Sequence, residues 1–550
     1  MKTRKTDFEF NPQYLLQFYL RAIKLGITSH CRRACLAWFL LLFLAVPAIS
    51  QKQPIIDIPT PNAASLGQYG QVPVSTFNGL PSISVPIYDF RFKDIHLPIS
   101  LSYHAGGNRT EDFPGWVGLG WTLNAGGSIT RIVNGKHDEI HTNDLNKAIV
   151  INGQPHAAYD VRKNYGYFSR SGELDNPNWF TQGFMVNYAE NNNLLYLGLM
   201  PFDAEPDEFI FNAGDLSGSF FMIRDQYGNL KVKVKSKSGE HLKVEPVVST
   251  ARVELSIFMK WEDREHDYKA KMERSFMGFT ITRSNGMKYY FGGDVTSIDM
   301  NTVRTGNSFT TIATSWHLSK IESPDKYAIT LQYKKEGDVF VQAKNRSQQC
   351  ILNGYNNTGN KCYPVQITNE TETSYSLQHP SYLSKIVAPD GRTVEFQTSP
   401  SSQRMYNYGD KQHLRNVFND MPDPFHDEFL LGNYYLQLDK IEIDGGLHGR
   451  VHPRIEATFN YTSSANQRLK LLALAIAPTY DEANKQSYAF SYNSHSLPAY
   501  NSKLSDNWGY FNNKYYGNVT DFEEMFGFRS ADTAFMKSEI LEKIVYPTGG

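Results

Sequence analysis

Two short stretches carry the residue types that hydrolytic chemistry needs. "HDEIH" sets His137 and His141 four apart with Asp138 between them. That order is close to the zinc-binding H-E-x-x-H helix, where both histidines face one metal. "DAEPDEF" gathers Asp203, Glu205, Asp207 and Glu208. Paired carboxylates serve as acid and base in glycoside cleavage, and Trp179 and Tyr196 are aromatics that would stack on sugar rings. The surrounding elements argue against both. "RIVNGK" ahead of the histidines reads as strand and turn, and a strand rising about 3.3 Å per residue holds positions four apart too far from each other to share one ion. Pro206 inside the acidic run marks a solvated turn, and the spacing fits no EF-hand loop. No serine sits in a G-x-S-x-G elbow. The expectation is a chain without catalytic, metal or cofactor residues.

A third stretch, "GWVGLGWTLNAGGSITR", has the look of a phosphate-cradling loop. A dinucleotide fingerprint would need G-x-G-x-x-G leading into a helix. Gly118 and Gly120 supply two positions, but Leu123 stands at the third. The β-branched alternation of "GSITRIV" predicts a strand afterwards. Gly115, Gly118, Gly120, Gly126 and Gly127 therefore read as a corner, with Trp116 and Trp121 filling the space left by missing Cβ atoms.

Composition agrees with strands. Tyr (33) and Phe (34) favour sheets, and 40 Gly with 26 Pro supply turns. Charged residues make up 20% and hydrophobic ones 41%, as in a folded globular body rather than a disordered chain. A net charge of −1 gives no field to draw the chain to nucleic acid.

Residues 1–50 read as an N-terminal extension and a secretory signal. Arg32 and Arg33 precede the apolar run Ala34–Val46, followed by Pro47 and a small-x-small site, with cleavage expected near Ser50. Export, to the cell surface or beyond, is the expectation. Cys31 and Cys35 leave with the signal. Cys350 and Cys362 flank a polar loop, and an exported setting permits a disulfide there, contributing about 3 kcal/mol in the chain-entropy model.

Region 51–145 is an N-terminal β-region holding the Gly-Trp corner. Ile83, Val85 and Ile87 share one face, as do Leu97, Ile99, Leu101 and Tyr103, and "RFKDIH" between the two runs predicts a hairpin turn. Region 146–300 is loop-rich, with a hairpin turn at Asn285-Gly286. Region 301–550 contains a recurrence. "LSKIESPD" begins at Leu318, "LSKIVAPD" at Leu383 and "LEKIVYPTGG" at Leu541, with "LDKIEIDGG" at Leu438 as a looser copy. Leu and Ile fall three apart, Pro follows three later in the close copies, then a polar turn and an alternating strand. Each copy predicts one hairpin, which needs neighbours to bury its apolar face. In "SDNWGYF", Trp508 and Tyr510 are two apart beside Gly509, and strand alternation would pack them together as a plug between hairpins.

The set "LGQYGQVPVSTFNGLPSISVPI", "LPISLSYHAGG", "GWVGLGWTLNAGGSITR", "TSWHLSKIESPD" (with Trp316), "DNWGYFN" and "KIVYPTGG" resembles the N-terminal region of bacterial RHS/YD-repeat proteins, from about residue 58 onward. The resemblance implies an all-β chain of consecutive antiparallel hairpins in large curved sheets. Such a shell segment encloses or displays a C-terminal effector and is not itself an enzyme. The long run of G-x-Y-D-x-x-G repeats typical of the family is absent. The chain reaches "YPTGG" where a next strand is expected, which predicts a downstream repeat or effector segment, or a partner that completes an open C-terminal edge. The alternatives are a secreted carbohydrate-binding or adhesive protein, in which surface glycans are the partner, and a secreted hydrolase using the acids at 203–208.

Overall fold

The computed structural model describes residues 74–77, 79–135, 137–139, 149–151, 154–156, 167, 205–224, 230–249, 253–261, 264–272, 276–305, 308–337, 339–351, 366–403, 435–445, 455–462, 464–478, 485–500, 502, 504–515 and 527–547. Of two compact units, Met1–Gln71 and Val72–Gly550, these residues all belong to the second. The expected signal segment, His141, Trp179, Tyr196, Asp203 and Cys362 lie outside the described residues, and so does the expected disulfide. Cys350 is placed within the strand Val339–Ile351, opposite Ile367, rather than in a loop.

The fold is all-β and antiparallel, with short 3-10 turns at Val295–Ser297 and Phe535–Lys537. Three strands, Ile83–Phe92, Ile95–Tyr103 and Trp121–Asn124, form one sheet in chain order. Ile95, Leu97, Ile99, Leu101 and Tyr103 alternate into the core as period two requires. The turn of this hairpin is shorter than expected. Arg91 and Phe92 pair with His96 and Ile95, leaving only Lys93 and Asp94 to turn, with Lys93 at φ +54°. Buried Phe92 and Ile95 extend the apolar face, which draws the pairing up to the tip.

From Phe276 onward, eleven strands succeed one another as antiparallel neighbours. They are Phe276–Thr282, Lys288–Gly292, the second half of Ser308–Glu322, Ala328–Lys334, Tyr382–Val387, Thr393–Pro400, Leu436–Asp444, Ile455–Tyr461, Leu471–Pro478, Gln486–Tyr492 and Leu541–Val545. Gly286, at φ +86°, makes the expected turn between the first two. Lys243–Val248 flanks the first strand of this meander.

The recurring Leu-x-Lys-Ile poses a geometric problem, because residues three apart on a regular strand face opposite sides. A β-bulge removes it. Leu318 pairs with Phe291 and Lys320 with Tyr290, so Ser319 is the extra residue. Leu383 and Lys385 bracket Ser384 in the same way, Leu438 and Lys440 bracket Asp439, and Leu541 and Lys543 bracket Glu542. The extra residue turns both apolar positions inward. Leu318, Ile321, Leu383, Ile386, Leu438 and Ile441 are all buried. A further copy, Leu471 to Leu474, bulges at Leu472 without the Lys-Ile signature. One continuous apolar cluster reaches from Val85 to Phe490.

Two sheets meet on the long strand Ser308–Glu322. Its first half pairs with Ile298–Thr305, Ser315–His317 pair with Ser128–Thr130, and its second half joins the meander. Trp316 sits at the exchange, fully buried, with its Nε1 donating to the Phe276 carbonyl at 2.7 Å. Its ring lies 5.7 Å from Phe209 and 5.0 Å from Phe279, among a knot of aromatics.

Candidate functional site: the bulge row and the segment that covers it

A bulge takes backbone groups out of the ladder, and buried ones need another partner. Here the Gly-Trp segment and a set of tyrosines supply them. Leu318 N donates to the Gly127 carbonyl at 2.9 Å, and Leu438 N to the Trp116 carbonyl at 2.8 Å. Leu541 N donates to Tyr103 Oη at 2.8 Å. The carbonyls face phenols instead. Tyr333 Oη donates to Leu318 O at 2.8 Å, Tyr461 Oη to Leu438 O at 2.7 Å and Tyr492 Oη to Leu471 O at 2.6 Å. Burial raises the pKa of all three phenols far above the ordinary range, so they remain donors.

Glycine is required where this segment threads against the meander. Gly118 has φ +101°, and a Cβ there would stand 2.9 Å from Leu471 N. Its neighbour Leu119 donates to Leu469 O at 2.8 Å, and Gly118 N closes a tight turn on Gly115 O at 3.0 Å. Gly120 O accepts from His104 N at 2.8 Å, returning the chain to the three-stranded sheet. Trp121 fills the interior, 4.7 Å from Phe490, with its Nε1 donating to Tyr492 Oη at 2.8 Å. Trp116 lies 5.8 Å from Tyr382. The chain then leaves one sheet at Asn124 and enters the other at Ser128. Gly126 and Gly127 span the gap, and a Cβ on Gly127 would collide with the Asn212 carbonyl.

Trp508 departs from the sequence expectation. It does not plug a core but is 65% exposed. Residues 506–510 form a turn rather than a strand, so Trp508 and Tyr510 do not share a face. Asp506 Oδ1 accepts from Trp508 N and Tyr510 N at 2.8 and 2.9 Å, while Tyr510 Oη turns back to Gly106 O at 3.0 Å. Gly509 O receives Thr110 N at 2.9 Å and so ties this turn to the Gly-Trp side.

The segments 137–139 and 205–208 converge. Asp138 and Asp207 are both fully buried, which corrects the reading of the acidic run as a wholly solvated turn, although Glu205 is exposed. Asp138 and Glu139 lie in a turn that follows the strand Ser128–Ile132. Asp138 N donates to Asp207 Oδ2 at 3.0 Å, and Asp207 N returns the bond to Asp138 Oδ1 at 3.1 Å. Asn134 N adds a bond to Asp207 Oδ1 at 3.0 Å. Arg131 pairs with Glu139 and stands 3.7 Å from Asp207, its guanidinium 5.2 Å from the Trp316 ring centre. Burial, then the neighbouring carboxylate, pushes Asp138 up from the usual carboxylate range, and burial raises Asp207 as well. Burial lowers His137 to about 4. This arrangement ties each acid to the other's backbone and clasps two loops, while Asp138 Oδ2 stays buried with no hydrogen-bond partner among the described residues. Among the described residues, no three His, Cys, Asp or Glu side chains converge as metal ligands.

No protein-family model and no curated protein matches this chain. It is similar to several solved structures at low identity. The crystal structure of TcdB2-TccC3 is 12% identical with a TM-score of 0.32, over 78% of this chain and 17% of that one. A Tc holotoxin pore structure from Photorhabdus luminescens is 10% identical with a TM-score of 0.29, over 76% and 16%. The N-terminal domain of effector protein SpvB from Salmonella typhimurium strain LT2 is 10% identical with a TM-score of 0.27, over 72% and 98%. The chain thus spans about a sixth of the length of the TcdB2-TccC3 and Tc holotoxin chains it resembles.

Proposed function

We propose that this chain is a structural wall, the exported N-terminal part of an RHS/YD-like shell, which encloses or displays an effector or partner and performs no reaction of its own. The observation that carries this reading is the gradient of burial along the meander. Each of the first ten strands of the meander buries at least two residues, whereas Leu541–Val545 buries none. A strand with one covered edge and a half-buried face is a template for strand addition. The acids at 138 and 207 support the same reading, since each accepts the other's backbone N–H and so holds two loops together.

The test is co-expression of the full chain with the polypeptide encoded immediately downstream of Gly550. A stable complex, cross-linked through Glu542 or Lys543, supports the reading. A strictly monomeric chain that forms no such complex overturns it. The exposed, turn-held Trp508 favours a second reading, contact with surface glycans. A glycan array read with the full chain and with Trp508→Ala decides that one: hits lost in the variant support it, and no hits remove it.

A further inference from the structure

The bulge row repeats with a fixed register, and that register specifies the strand that the open edge accepts. Opposite the inner apolar residue of each bulge motif stands an apolar residue of the following strand. Ile321 faces Ile329, Ile386 faces Val394, Ile441 faces Ala457 and Leu474 faces Tyr488. Two residues further along, the following strand always buries a Leu or Phe: Leu331, Phe396, Phe459 and Phe490. Four further along stand Tyr333, Thr398, Tyr461 and Tyr492. The segments read "ITLQY", "VEFQT", "ATFNY" and "YAFSY". All three tyrosines donate to a bulge-leucine carbonyl at 2.6 to 2.8 Å.

The chemistry behind the rule is a buried acceptor displaced from the ladder. A bulge aims its leucine carbonyl away from strand pairing, and a carbonyl deprived of water needs a donor. At three of the four bulges a side chain long enough to cross the strand and ending in a hydroxyl meets that need while its body stays apolar, which tyrosine does. At the Leu383 bulge the corresponding residue is the shorter Thr398, whose buried hydroxyl makes no such bond. Leu541 occupies the same bulge position, with Ile544 as the inner residue.

We infer that the segment completing this sheet is an antiparallel strand with the pattern apolar-x-Leu/Phe-x-Tyr. Its first residue sits opposite Ile544 and its tyrosine hydroxyl reaches the Leu541 carbonyl. The inference rests on the strand-addition reading above and names the chemistry of the occupant. An aromatic without a hydroxyl at the last position would pack but leave the carbonyl unmet. A tyrosine one place off would point to the opposite face.

Three fluorescent peptides titrated against the full chain test this by anisotropy, with hydrogen exchange at Leu541–Val545 locating the site. The first is built on Ala-Thr-Phe-Asn-Tyr, the second carries Phe for Tyr, and the third moves Tyr by one residue. The first binds and protects Leu541–Val545, the second binds about fivefold more weakly, and the third does not bind measurably. Equal affinity of the first two, or binding by the third, overturns the register rule and leaves strand addition standing. Failure of all three, or binding elsewhere on the chain, overturns the rule and the strand-addition reading together.

Discussion

At Leu318 the bulge is closed on both sides: its N–H meets Gly127, its carbonyl meets Tyr333, and Trp316 seals the adjoining interior. At Leu541 the N–H meets Tyr103, and the strand around it stays half-buried. The Leu and Ile of the same short motif are therefore fully buried in one place and half-buried in the other. The local sequence is nearly constant, so the difference lies in what packs behind it.

Substitutions at the two ends separate these cases. Trp316→Ala removes a fully buried ring and the donor to Phe276 O, and should cost about 4 kcal/mol in chemical denaturation. Trp508→Ala, exposed on its turn, should stay within about 0.5 kcal/mol by the same measurement. A similar loss for both would erase the contrast. Tyr492→Phe strips the donor to Leu471 O and the acceptor for Trp121 Nε1, for about 2 kcal/mol. Tyr461→Phe strips one strong bond, for about 1 kcal/mol. The reverse order would contradict the role given to the phenols.

The acid clasp sharpens the comparison through pH. Asp138 and Asp207 have folded-state pKa values raised above their unfolded ones, so the native state binds their protons more tightly and stability falls as pH rises between about 4 and about 8. His137, held neutral by burial, acts in the opposite sense between about pH 4 and 6.5. The difference between wild type and Asp138→Asn therefore isolates the acids. The variant keeps the oxygen that accepts Asp207 N and should lose less stability than wild type as pH rises from about 5 to about 8. Parallel pH profiles would contradict the clasp.

Much of the wall was legible from side-chain period. The alternation from Leu97 to Tyr103, the turn at Gly286 and the strand–turn–strand units after Leu318 and Leu383 follow from it directly. The three-residue Leu–Ile spacing was visible, but its cause was not, because a bulge is defined by its partner strand. Leu471 to Leu474 escaped notice because Ala473-Leu474 replaces Lys-Ile, although the backbone does the same thing. Trp508 misled because an Asx turn and a strand both tolerate Asp-x-Trp-Gly-Tyr, and the choice lies in the Asp506 side chain. The Asp138–Asp207 clasp joins residues 69 apart, with nothing local to announce it. The phenol row was equally hidden, since each tyrosine serves a carbonyl on the preceding strand.

Native-state hydrogen exchange of the full chain tests the central claim most directly, by comparing the amides of Leu541–Val545 with those of Leu471–Pro478. Leu471–Pro478 should exchange only through global unfolding and Leu541–Val545 through much cheaper local openings. Equal, global-level protection in both strands would contradict it.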